Sequence, residues 1–209
     1  MHIEPGFVSS AKVVMADGVA LMVVGACALA LLRRPRDIVR TLIAAAFFTA
    51  CMQAFHMKVG PSELHFIGAM PMYLALGLLP TLLGFALGLL AQGLLFEPAD
   101  LLHLSVNTLS LAVPLMAVHA TLGRKVERVD IGTVLRLDGA YYAGVTAMVG
   151  FWLAIGEVET PFADWLRFAL SYVAVVAIEP LLTIAILVGL ARQRALPLVR
   201  LCFVDRRLS

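Results

Sequence analysis

The first two residues, Met1 and His2, place an α-amine, a backbone nitrogen and an imidazole nitrogen within one dipeptide. A metal ion can close a five-membered ring through the His2 backbone nitrogen and a six-membered ring through its side chain. Such a nitrogen-rich, near-planar set suits Ni(II), Cu(II) or Co(II), because amide and imidazole nitrogens match borderline metals and a tetragonal field. A large second residue blocks removal of an initiator methionine, so the amine is expected to remain on Met1. A second imidazole, His65, follows a breaker-rich stretch, Val59-Gly60-Pro61-Ser62-Glu63-Leu64, at the start of an apolar run. Together with the three N-terminal nitrogens it would complete a planar set of four. The opposing reading of the same residue is an interfacial histidine hydrogen-bonded to its own loop, since a helix N-terminus disfavours a cation.

Other polar residues invite weaker assignments. His56 could supply an entry contact or support the ligands from behind, and His103 falls on the same outer side, whereas His119 falls near the opposite end. Glu179, in Ile178-Glu179-Pro180, and Asn107, in Leu104-Ser105-Val106-Asn107-Thr108, lie inside apolar segments. Polar groups there usually face a bundle interior, and for both a polar clamp between helices is the expected role. Asp17 is similar but shallower. Met15, Met52, Met57, Met70 and Met72 read as packing residues. Cys27, Cys51 and Cys202 show neither metal nor disulfide spacing.

These residues must be held by membrane helices. Hydrophobic residues make up 61% of the 209 and charged residues 14%, against about 45–50% and about 25% in ordinary soluble domains. The apolar runs are too long and too weakly alternating for barrel strands, and in lipid only helices or closed barrels satisfy the backbone. The expected fold is an all-α, polytopic integral membrane protein with about seven transmembrane helices. The segments read as about Val13–Leu32, Ile38–Met57, Phe66–Leu79, Thr81–Phe96, Leu104–Leu122, Leu135–Ile155 and Trp165–Leu190. The 31 apolar residues from Phe66 to Phe96 are divided at Pro80. The third segment is then only about 21 Å long against a hydrocarbon core of about 30 Å. It is tolerable if its outer end starts below the membrane surface, after non-helical chain lining a protein cavity. The chain reads as one domain over residues 1–209, with a metal-chelating segment at 1–10 and a cytoplasmic tail at 192–209.

Charge supports this count. With the N-terminus outside, the inner loops and tail carry Arg33, Arg34, Arg36, Arg40, Arg124, Lys125, Arg128, Arg136, Arg192, Arg194, Arg200, Arg206 and Arg207. Only Lys12, Lys58 and Arg167 fall outside. Thirteen basic residues against three is a positive-inside pattern. Removing one span before Phe96 would place Arg124, Lys125 and Arg128 outside. The net charge of +2 gives no argument for nucleic-acid binding, and there is no cleavable signal peptide in the reading, because the first apolar run is long and lacks a small-residue cleavage site.

Met1-His2-Ile3-Glu4-Pro5-Gly6-Phe7 resembles the start of the cobalt/nickel substrate-binding membrane components of energy-coupling-factor ABC transporters, the CbiM/NikM type. The resemblance continues through Gly60–Ala69, Gln92-Gly93-Leu94-Leu95-Phe96, Asn107-Thr108-Leu109-Ser110 and Ile178-Glu179-Pro180-Leu181-Leu182-Thr183. It implies a seven-span binding subunit whose N-terminus folds back into the bundle, with Met1 and His2 supplying three nitrogens and His65 the fourth. It departs where Glu97-Pro98-Ala99-Asp100 replaces the family's Gly-His-Gly-Gly, and where Pro180 replaces a glycine.

The expected function is capture of a divalent cation, nickel or cobalt, from the outer side by the substrate-specific subunit of an ATP-driven importer. The chain is not expected to be an enzyme or to hold a catalytic cofactor; Ni(II) or Co(II) is its cargo. It has no Gly-x-x-x-x-Gly-Lys-Ser/Thr phosphate loop, so an ATPase pair and a coupling transmembrane protein, with a small accessory membrane subunit, are its expected partners. The expected setting is the prokaryotic cytoplasmic membrane. Two other readings differ in kind: a haem- or metal-binding membrane enzyme using His56, His65 and His103, and a structural membrane protein in which His2 has no role. Cysteine-accessibility labelling tests the topology: a cysteine at Glu159 should react from outside and one at Lys125 should not. Labelling of position 125 from outside would overturn the seven-span arrangement.

Overall fold

The computed structural model describes residues 7–59 and 62–203. Seven helices form the bundle: α1 (Ser10–Leu32), α2 (Arg36–Ala54), α3 (Ala69–Leu76), α4 (Leu78–Leu95), α5 (Leu104–Thr121), α6 (Ile131–Ala154) and α7 (Phe162–Arg192). A short α8 (Pro197–Cys202) packs on α2, so part of the expected tail folds onto the inner end of the bundle. Five stretches are long and apolar enough to cross a membrane by length and composition: α1, α2, α4, α7 and Pro98–Thr121, which adds a 3-10 turn to α5. Although α6 has 24 residues, polar groups at Arg136, Asp138, Tyr141 and Tyr142 interrupt its apolar character.

The third segment differs most from the expected boundaries. The expected helix over Phe66–Leu79 is shortened to the eight-residue α3, and before it stands an antiparallel hairpin, β1 (His56–Val59) with β2 (Ser62–His65). The hairpin takes Met57 and His56 away from the second segment, which ends at Ala54. At 1.5 Å per residue, α3 is about 12 Å long and cannot cross a bilayer. Its lead-in is the non-helical chain expected there, in the form of paired strands. The break between α3 and α4 falls at Gly77 rather than Pro80. Gly77 has φ of 96°, a conformation that L side chains rarely adopt, while Pro80 sits in the first turn of α4. A proline is tolerated in that turn because its missing N–H would have no intrahelical partner.

Packing follows small residues. The most extensive contact is between α2 and α4. There a methyl group added at Gly84 would lie 2.5 Å from the Ala44 Cβ, so the two backbones pass close together. Gly144 of α6 likewise faces Pro114 of α5, with a 2.8 Å approach for an added Cβ. At the inner end Asp130 caps α6 by accepting from the Thr133 amide at 2.6 Å, and this bond holds the Asp130 carboxyl below its usual range.

The outer end is tied together through the chain start. The Glu157 amide donates to the Phe7 carbonyl at 2.9 Å, and Lys12 donates to the Ile155 carbonyl. These bonds fasten the entry to α1 onto the turn between α6 and α7. Met1 to Gly6 lie outside the described residues.

Gly68 joins the hairpin to α3 with φ of 65°, and a Cβ there would lie 2.7 Å from the Phe47 ring. Gly68→Ala combines backbone strain with a clash against a packed ring, so it should cost about 1–3 kcal/mol. Thermal unfolding in detergent should show the loss; an unchanged midpoint would mean that this junction relaxes freely.

Candidate metal-capture site

The hairpin carries His65 inward. Along β2, Ser62, Leu64 and His65 are buried, whereas His56 and Lys58 of β1 are exposed. His65 keeps 1% of its surface, which places the imidazole inside the bundle. Its Nε2 lies 3.1 Å from the Glu63 carboxylate. With the Nε2 proton directed to Glu63, the lone pair resides on Nδ1, the arrangement in which a carboxylate orients a ligating histidine and raises its basicity. His56 stands directly across the strand pair from His65, with the rings stacked at a centroid distance of 6.1 Å.

Non-helical backbone at this depth has to be satisfied by protein. Part of the solution is Glu179, fully buried in the middle of α7. Its carboxylate accepts from the Met70 amide at 3.1 Å, faces the Gly68 amide and accepts from the Tyr142 hydroxyl. The first amides of α3 have no intrahelical partners, and the positive end of the helix favours an anion there. Glu179 thus holds the start of α3, four residues after His65, against α7.

Beneath the hairpin an aromatic layer joins α4, α6 and α7. Phe85 stacks on Tyr141, Tyr141 meets Tyr142 edge-on at 5.3 Å, and Tyr142 stacks on Tyr172 at 4.8 Å. Tyr172 lies against the backbone of His65. Beside the hairpin, Phe55, Met57, Leu64 and Phe66 face Leu170, Ala174, Val175 and Ile178 of α7 across an apolar cleft of about 430 Å³.

The remaining candidates are dispersed. His119 bonds the Tyr73 hydroxyl at 2.7 Å near the inner end, beside Gly123. His103 is buried at the end of the 3-10 turn Pro98–His103, and Asn107 is buried one turn into α5. Met1 and His2 lie outside the described residues. Among the described residues no three of His, Cys, Asp and Glu gather as a metal site. The three cysteines are all free thiols.

Two residues here were not singled out from the sequence. Glu63 read only as part of the breaker-rich stretch before His65, yet its spacing two residues from His65 on a strand puts both side chains on one face. Asp138, fully buried on α6, falls within the expected segment Leu135–Ile155, where the sequence alone assigns it no role. An ionisable residue within an apolar segment was the available signal.

A family model, CbiM, described as the cobalt uptake substrate-specific transmembrane region, matches residues 2–196. The chain belongs to this family. As a CbiM-family member it is a membrane-embedded component of a metal-uptake transporter that works with other subunits, and the family is not one of enzymes. Two solved structures share its fold. One, a transition metal transporter, superposes with a TM-score of 0.74 over 95% of this chain and 96% of that one, at 19% identity. The other, a truncated transition metal transporter, gives a TM-score of 0.69 over 92% of this chain and 99% of that one, at 20% identity. No curated protein matches the chain.

Glu63→Gln keeps the shape of the side chain and removes the charge that polarises the His65 ring. Affinity for Ni(II) or Co(II) should fall about 10–100-fold, as when other carboxylates behind metal-bound histidines are replaced. Titration of the purified variant would measure it, and parental affinity would remove Glu63 from the site.

Proposed function

We propose that this chain captures Ni(II) or Co(II) from the outer side of a prokaryotic cytoplasmic membrane through the Met1 amine, the His2 backbone and ring nitrogens, and the His65 ring. It would act as the substrate-specific subunit of an energy-coupling-factor importer, beside a coupling transmembrane protein and ATPase subunits. The cation is transported cargo. The observation that carries this reading is the placement of His65: buried, braced by Glu63, and set on a hairpin that enters the bundle from the outer end.

The reach of the N-terminal segment supports it. Phe7 is fastened at the outer turn by Glu157. The six residues before it extend at most about 20 Å. The hairpin flanks α7 from Leu170 inward, and Leu170 is eight residues from the start of that helix, a depth of about 12 Å. The fully extended length of that segment therefore exceeds the depth at which the hairpin lies.

Four nitrogens around one ion strip it of water and neutralise part of its charge through a deprotonated His2 amide. Selection of nickel or cobalt over magnesium or calcium follows from donor type, since the harder ions prefer oxygen. Asn107 and Glu179 serve as interior clamps in this reading, and His56, stacked on the His65 ring, as an outer support.

Inserting one alanine between Met1 and His2 moves the amine by about one residue length, roughly 3.3–3.6 Å, while metal ligands must meet at about 2 Å. High-affinity Ni(II) and Co(II) binding by the purified chain should be lost, with membrane insertion unchanged, and His65→Ala should have a similarly severe effect. His103→Ala and His119→Ala should bind nearly as the parent does. Undiminished binding by the insertion variant would refute the N-terminal chelate.

A further inference from the structure

The outer half of α1 is parted from α6 by an apolar cleft of about 280 Å³, with α5 as its third wall. Lys12, Met15 and Val19 line it from α1, Val113 from α5, and Phe151 and Trp152 from α6. Met15, Val19, Val113 and Phe151 are all exposed, so the cleft opens outward from the bundle, onto the bilayer. Of the five stretches able to cross a membrane, α1 has the smallest buried share, and Ala16 and Ala20 are its buried residues. The lining is ordered by depth. Lys12 stands in the first turn of α1 and donates to the Ile155 carbonyl, just past the outer end of α6. Val19 lies seven residues further along α1, about 10 Å deeper. One leaflet of hydrocarbon is about 15 Å deep, half of a core of about 30 Å. Below Lys12 the lining is hydrophobic throughout. An ammonium has three donors. Ile155 takes one, and no carboxylate among the described residues pairs with Lys12.

We propose that this cleft binds one phospholipid of the outer leaflet, its phosphate on the Lys12 ammonium and one acyl chain between α1, α5 and α6. A phospholipid presents an anion and then an apolar chain from the membrane surface inward. Lys12 and the wall below it present the complements in the same order. Trp152, two residues before the end of α6, suits the boundary between them, because a large, mostly apolar ring with a polar edge favours the membrane interface. The chain fills the space that α1 and α6 leave between them and so joins the least buried span to the rest of the bundle. The site is independent of metal capture, since none of its residues is a proposed ligand.

The test uses the purified full-length chain, stripped of lipid in a neutral maltoside detergent and titrated with dioleoyl phosphatidylglycerol under native mass spectrometry. The parent should retain one tightly held phospholipid. Dioleoylglycerol, with the same chains and no phosphate, should bind about fivefold more weakly. Lys12→Gln keeps a donor for the Ile155 carbonyl but removes the charge, so phosphatidylglycerol should bind it about fivefold more weakly as well, and Lys12→Arg should match the parent. Val19→Phe puts a ring into the cleft and should weaken binding about tenfold, the effect of shutting out some two methylenes. Leu94→Phe, at an exposed position of α4, should bind as the parent does. Thermal unfolding shows that each variant is folded, and added phosphatidylglycerol should raise the midpoint of the parent but not that of Val19→Phe. Four results would each overturn the site: a parent that retains no phospholipid, equal affinity for dioleoylglycerol and phosphatidylglycerol, displacement of the lipid by inorganic phosphate, or parental affinity in Lys12→Gln or Val19→Phe.

Discussion

The bond between the Glu179 carboxylate and the first amides of α3 makes the rest of the arrangement possible. A chain that enters a bilayer as a hairpin and turns into a helix partway down exposes peptide groups where there is no water to satisfy them. The hairpin satisfies part of this need by strand pairing, Gly68 makes the turn, and Glu179 receives the amides that remain at the helix start. The carboxyl group meets the positive end of the helix, so a polar group that would be expensive alone becomes part of the local structure. His65 depends on this arrangement, because it is the last residue of the hairpin and only Phe66 and Ile67 separate it from the Gly68 cap of α3.

The remainder of the bundle provides an enclosure of a particular thickness. Close passage of α2 and α4 at Gly84 and of α5 and α6 at Gly144 leaves room for the short α3 and the aromatic layer between α4, α6 and α7. Tyrosines serve well in that layer. Their rings supply apolar contact, and a hydroxyl can be spent on a buried carboxylate, as Tyr142 does for Glu179. At the outer end the Glu157 amide donates to the Phe7 carbonyl and ties the entry to α1 onto the turn between α6 and α7.

Much of the architecture was legible in the linear pattern. Long apolar stretches and the asymmetry of arginine and lysine define α1, α2, α4, α5 and α7, and the shortness of the third segment, Phe66–Leu79, already implied a helix beginning below the surface. The boundary at Gly77 was not legible because proline is the stronger breaker in general; Pro80 falls in a first turn where its missing donor costs nothing. The hairpin was hidden because its strands are four residues each, too short for a two-residue alternation to stand out from helix-ending loop chain. Asp138 was hidden because position along α6 does not reveal which way a side chain faces.

By itself, the sequence determined that this is a membrane-embedded helical protein, the order of its spans, and which residues have the chemistry to bind a borderline metal, since hydropathy, charge placement and donor type are properties of residues. The tertiary structure alone decided that His65 is buried and braced by Glu63, that His56 stacks on it, and that Glu179 meets the start of α3. Those relations join residues up to 109 positions apart. They depend on how helices rotate and how deep each begins, which is set by packing among all of them rather than by any local pattern.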